Sequence, residues 1–129
     1  MSNLKINLQA KGIELTDAIN NHVITKVTNL GKYLENIGEQ ILIEFEVGKN
    51  TNHHNKGDDL FRAECMITID GKTYRGETDR HDLYVAIDEV KDMLFRDISK
   101  DRDRERTLWQ RGARSIKKRI KGFKPWPFS

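Results

Sequence analysis

From residue 4 to residue 9 apolar and polar positions alternate, Leu4, Ile6 and Leu8 against Lys5, Asn7 and Gln9. A period of two is that of a strand with one buried face. The rhythm then changes: Ile19, Val23, Val27, Leu30, Leu34 and Ile37 recur at intervals of three and four, the stripe of a five-turn helix, with Thr16 placed as its N-cap. Alternation returns at Ile41, Ile43, Phe45 and Val47, with Glu44 and Glu46 on the opposite phase, and predicts a second strand. The stretch GKNTNHHNKGDD, residues 48–59, consists of polar residues and turn formers and reads as a loop. A third strand follows over residues 60–70, with Phe61, Ala63, Cys65, Ile67 and Ile69 on its buried phase. Asp70-Gly71 is a strong hairpin signal, because a type I′ turn needs positive φ at both central positions. It delivers a fourth strand from Lys72 to Thr78. Leu83, Ile87, Val90, Leu94 and Ile98 form a second helical stripe, with Asp79 or Asp82 as the cap.

The predicted order is β-α-β-β-β-α. A right-handed crossover lays the first helix on the sheet, and strands two to four form an antiparallel meander. The second helix has its own apolar stripe to bury and belongs on the same face. The expected fold is therefore α+β: a two-layer βαβββα sandwich with a four-stranded mixed sheet, two helices on one face and the other face toward solvent. Past Ile98 the apolar stripe stops. Arg96, Lys100 and Arg104 continue at intervals of four, shadowed by Asp97, Asp101 and Glu105, a pattern that carries a solvated helix a few turns further. The helix is expected to end or break near Gly112, and Pro125 and Pro127 to close the chain in an extended piece. Residues 1–105 are read as the folded domain and residues 106–129 as a basic, aromatic-containing C-terminal extension.

Composition sharpens this division. Of 129 residues, 36% are apolar and 33% charged, a lean balance for a globular chain, with most apolar residues before position 99. No run of about 18 apolar residues is present, so a membrane span is not expected. The start, MSNLKINLQAKG, lacks the apolar region of a secretory signal, and a lone cysteine fits a reducing cytoplasm. Charge is split along the chain. Residues 96–129 hold twelve Lys and Arg against Asp97, Asp101, Asp103 and Glu105, a net +8, while the preceding 95 residues hold eleven against sixteen acids, a net −5.

Few residues suggest catalysis. His53 and His54 are adjacent in a polar loop, where neighbours point apart, and no third ligand stands at metal spacing. Cys65 falls on the buried phase of the third strand and reads as a core residue. Asp88 and Asp92, one helical turn apart, read as solvated helix charges. No catalytic, metal or cofactor site is implied. The basic segment is different in kind: Arg111, Arg114, Lys117, Lys118, Arg119, Lys121 and Lys124 carry no interspersed acid and have Trp109, Phe123 and Trp126 among them. Cations contact phosphates and aromatic rings stack on unpaired bases, so RNA is the expected partner. A membrane surface fits less well because the apolar face is thin.

Residues 14–37, ELTDAINNHVITKVTNLGKYLENI, and residues 82–94, DLYVAIDEVKDML, joined through the DG hairpin, resemble the bacterial ribosome hibernation promoting factor and ribosome-associated inhibitor family. The resemblance covers about residues 4–104. It implies a non-enzymatic, cytoplasmic translation inhibitor whose domain docks on the small ribosomal subunit, against 16S rRNA, in the channel of messenger and transfer RNA. Such a factor blocks initiation and decoding and preserves idle ribosomes under stress. By position, Lys26 matches the family's lysine on the first helix and Tyr33 its nearby aromatic, and Arg96, Lys100, Arg102 and Arg104 match its basic run on the second. Asn20, Asn29 and Met93 stand where relatives often carry bases, and Asp97 and Asp101 add acids. The extension matches neither the short form nor the pairing domain of the long form, and Arg111, Arg114, Lys117, Lys118 and Arg119 are expected to restore the phosphate contacts the domain has lost. A free-standing double-stranded RNA-binding module, which shares the layout of a sheet with two helices on one face, is the alternative reading.

Overall fold

The computed structural model describes residues 3–50 and 60–119, with side chains described except at Asn50 and at 113–119. His53, His54 and everything after Arg119 lie outside the described residues. Six elements follow in the expected order: β1 Asn3–Lys11, α1 Asp17–Leu34, β2 Gln40–Asn50, β3 Leu60–Ile69, β4 Lys72–Arg80 and α2 Leu83–Arg119. The strands lie in the order β1-β2-β3-β4, with β1 parallel to β2 and the two remaining pairings antiparallel. This is the mixed sheet of a βαβ unit followed by a meander.

Register sorts the side chains into two faces. Ile6, Ile43, Ile67 and Tyr74 form one row across the sheet, and Leu8, Phe45, Cys65 and Gly76 the next. Their central members are buried, with Ile43 and Ile67 fully so. On the edge strand β1 the inward residues Leu4, Ile6 and Leu8 are only half-buried, and so is Phe61 near the start of β3, which sequence pattern alone would place in the core. Both helices cover this inward face, each at a point where a glycine allows close approach. A methyl group at Gly31 of α1 would come within 2.9 Å of Leu4 Cδ2, and one at Gly76 of β4 would sit 3.4 Å from Leu94 Cγ of α2. Val23, Val27, Leu30 and Leu34 from α1 and Leu83, Ile87, Val90 and Leu94 from α2 complete the core. Burial pushes the Cys65 thiol up to about 12, aided by the nearby charges of Glu44 and Glu64, so it stays neutral and unreactive among apolar neighbours.

The element ends follow local chemistry. Thr16 Oγ1 accepts from Ile19 N at 3.2 Å and caps α1. Asp82, not Asp79, caps α2, its Oδ1 accepting from Tyr84 N at 2.9 Å. The first helix stops at Leu34, so Ile37 lies in the closing turn instead of on the helical stripe, its N–H donating to Leu34 O at 2.9 Å. The second helix departs further from expectation, because it runs through Gly112 to Arg119. An exposed helical glycine costs about 1 kcal/mol relative to alanine, too little to stop a helix flanked by Gln110, Arg111, Ala113 and Arg114. Residues 1–95 and 96–129 form two compact units. Among the described residues no helix is long and apolar enough to cross a membrane.

The hairpin turn does two jobs. Asp70 at φ 48° and Gly71 at φ 88° take the positive values of the expected turn. The Asp70 carboxylate also accepts from Gln40 N at 2.8 Å and from Glu39 N at 3.2 Å, tying the turn to the start of β2. Asp70→Ala removes both acceptors and places a β-carbon with no local hydrogen bond in a left-handed conformation. A loss of about 2 kcal/mol is expected, seen as a melting temperature lower by roughly 10 °C, with Asp70→Asn recovering most of it. An unchanged melting temperature in the alanine variant would remove this role from Asp70.

Candidate nucleic-acid interface

On the side away from the sheet, α1 and α2 meet along a seam. His22 packs against Tyr84, Lys26 pairs with Asp88, and Tyr33 packs against Phe95. Each pair has the same separation in sequence, so the two helices run parallel and in step. The His22 and Tyr84 rings are T-shaped with centroids 4.9 Å apart, and the Tyr33 and Phe95 rings are tilted at 59° with the same centroid separation. Between them Asp88 serves two partners at once. Its Oδ1 lies 2.8 Å from His22 Nε2 and 3.6 Å from Lys26 Nζ. An ionised carboxylate only accepts, so His22 Nε2 carries the hydrogen. Asp88 is therefore a bridge between helices and not the solvated charge its position suggested, whereas Asp92 is exposed and pairs with Lys91 at 3.5 Å.

The expected cations divide by location. Lys26 and Tyr33 stand together on the seam, half-buried. Arg96, Lys100 and Arg104 follow on α2, exposed at intervals of four, with Arg102 half-buried. Arg104 Nη2 donates to Asp101 Oδ1 at 2.7 Å, and Asp101 is itself buried, so one of the added acids engages a base of its own helix. Arg111 is exposed. Arg114, Lys117, Lys118 and Arg119 lie on the helical backbone of α2, with side chains outside the described part.

The outward face of the sheet has opposite character. Glu44, Glu46, Glu64 and Glu77 crowd its centre, and Arg62 and Arg75 are engaged by them: Arg62 pairs with Glu77 and Glu64, and Arg75 lies 3.1 Å from both Glu64 and Glu77. The bases of this face are held by its acids, Lys11 by Glu46 among them, so it presents no excess of positive charge to a polyanion, which leaves the helical side as the candidate interface.

The family model described as Sigma 54 modulation protein / S30EA ribosomal protein matches residues 6–106, from within β1 to beyond the basic run of α2. The chain belongs to this family. Among its S30EA relatives, the ribosome hibernation promoting factor of Salmonella typhimurium is 25% identical over 101 residues, which cover 78% of this chain and 96% of that protein. The ribosome hibernation promotion factor of Lactococcus lactis is 31% identical over 103 residues, covering 78% of this chain but 51% of the longer relative. In structure, the N-terminal domain of Thermus thermophilus Protein Y superposes with a TM-score of 0.60 at 28% identity, covering 76% of this chain and 97% of that domain. A ribosomal subunit interface protein from Coxiella burnetii, at 16% identity and a TM-score of 0.57, shares the fold. The S30EA match ends before Arg111, so the acid-free basic run lies beyond the part the family model describes.

Proposed function

We propose that this chain is a ribosome-associated translation inhibitor, a hibernation factor of the cytoplasm. It binds the small ribosomal subunit through 16S rRNA in the channel used by messenger and transfer RNA, blocks initiation and decoding, and preserves idle ribosomes under stress. The observation that carries this reading is the S30EA family match over residues 6–106, which takes in the two-helix seam and the exposed cations Arg96, Lys100 and Arg104 together. Lys26, Arg96, Lys100, Arg102 and Arg104 supply phosphate contacts and Tyr33 an aromatic contact. Arg111, Arg114, Lys117, Lys118 and Arg119 extend those contacts along rRNA. The role is occupancy of a site, with no chemical step.

Charge reversal of Lys26, Arg96 and Lys100 to glutamate tests the docking surface. Translation inhibition is expected to disappear, and the slope of log affinity against log salt to shrink by roughly 2 to 3 for the three lost phosphate contacts. Inhibition that survives the triple substitution would place docking elsewhere. Titration against intact small subunits and against naked duplex RNA separates this function from that of a general double-stranded RNA binder, which would bind both alike.

A further inference from the structure

Two of the largest rings on the helical side stand in water. Tyr84 is 39% exposed and Phe95 41%. Exposed rings of this size cost hydration free energy unless something covers them. Each is braced by a partner on α1: His22 meets Tyr84 at an interplanar angle of 88°, and Tyr33 leans on Phe95 at 59°. A ring held upright by a neighbour loses little rotamer freedom when a ligand stacks on it. The two rings sit eleven positions apart on α2, about three turns, which puts them on the same side of the helix and about 16 Å apart. The charges between them are matched, Lys26 by Asp88 and Lys91 by Asp92. The seam's cations lie close to acids, and what the seam adds to the phosphate contacts of Lys26 and the α2 cations is ring surface.

We propose that Phe95 and Tyr84 are two stacking posts for unpaired nucleobases of an RNA strand laid along the α1–α2 seam. This rests on the ribosome-binding reading and deepens it by naming the class of RNA the seam takes, single-stranded and not duplex. In a duplex the bases are already stacked and their faces are unavailable to protein rings. A stacked strand rises about 3.4 Å per nucleotide, so the posts would engage bases about five nucleotides apart. The division of labour is physical. Stacking releases no counterions, so the posts contribute affinity that does not depend on salt, whereas the exposed cations of α2 contribute affinity that does.

The test uses the full chain and a short, unstructured oligoadenylate, with a strand of equal length lacking bases as the control, across a salt series. Phe95→Ala and Tyr84→Ala are each expected to weaken oligoadenylate binding by roughly five- to a hundredfold with an unchanged log–log salt slope. Phe95→Trp is expected to keep the affinity and to show quenching on binding beyond that of Trp109 and Trp126. The strand without bases should bind more weakly than oligoadenylate, through its phosphates alone, and ignore all three substitutions. Equal affinity of native protein and Phe95→Ala for oligoadenylate, or equally tight binding of the strand without bases, overturns the proposal. Co-sedimentation of the native chain with ribosomes runs in parallel: if it persists while oligoadenylate binding ignores both rings, stacking alone is overturned, and if it is absent the ribosome-binding reading is overturned with it.

Discussion

Replacing Arg111, Arg114, Lys117, Lys118 and Arg119 with glutamate is expected to lower the proposed affinity for the small ribosomal subunit by orders of magnitude and to flatten its salt dependence. Each lost phosphate contact removes roughly 0.7 to 0.9 from the log–log slope, so five remove about 3.5 to 4.5. The size of the effect follows from the split of charge along the chain, since the first 95 residues carry a net −5 and residues 96–129 a net +8. The leading part cannot approach a polyanion on its own net charge. The helix α2 runs through Arg119 and so takes in the backbone of all five of these residues. The measurement is sedimentation of the variant with small subunits over a range of salt concentrations. Pelleting equal to that of the native chain at every salt concentration would show that these residues anchor nothing.

The sheet and the stripes of both helices were legible because each depends on a period along the chain. Leu4 to Leu8, Ile41 to Val47 and Ala63 to Ile69 alternate, and Asp70-Gly71 specifies its turn by backbone conformation alone. The order of elements and the crossover then leave few topologies, and the observed one is among them. The bridge made by Asp88 was not legible. Nothing in the spacing of Asp88 and Asp92 says that one faces His22 and Lys26 across a helix interface while the other faces solvent. Such contacts come from packing between elements 62 residues apart in sequence, as for Lys26 and Asp88, and no local period encodes them. The seam could be anticipated only in part: Tyr33 was marked by its resemblance, but its partner Phe95 falls between two residues of interest, Leu94 and Arg96, and carries no motif of its own. The helix α2 continues past the expected end near Gly112 because a single glycine does not terminate a helix. Without a C-cap geometry, it is only a weak point in an exposed helix.

Leu94→Ala separates the requirements of fold from those of binding, and its expected effect is the largest on stability. Leu94 is fully buried, and it presses on β4 where Gly76 leaves no side chain to move into the gap. Truncation therefore leaves a cavity that the backbone contact keeps open. The loss is about 2–5 kcal/mol, a large part of the roughly 5–15 kcal/mol that holds a small domain together. At about 4–8 °C per kcal/mol for a domain near 100 residues, the melting temperature drops by roughly 8–40 °C. Phe95, the next residue, turns outward at 41% exposure, and Phe95→Ala should lower the melting temperature far less, by a few degrees for the lost contact with Tyr33. The pair makes a sharp contrast between adjacent positions of one helix. Loss of RNA binding in Leu94→Ala should track its unfolding and vanish on cooling below the transition, while loss in Phe95→Ala should be independent of temperature over the same range. A Leu94→Ala variant that melts within a few degrees of the native chain would mean that α2 does not rest on β4 through this side chain, and the in-step seam between the helices would lose its foundation.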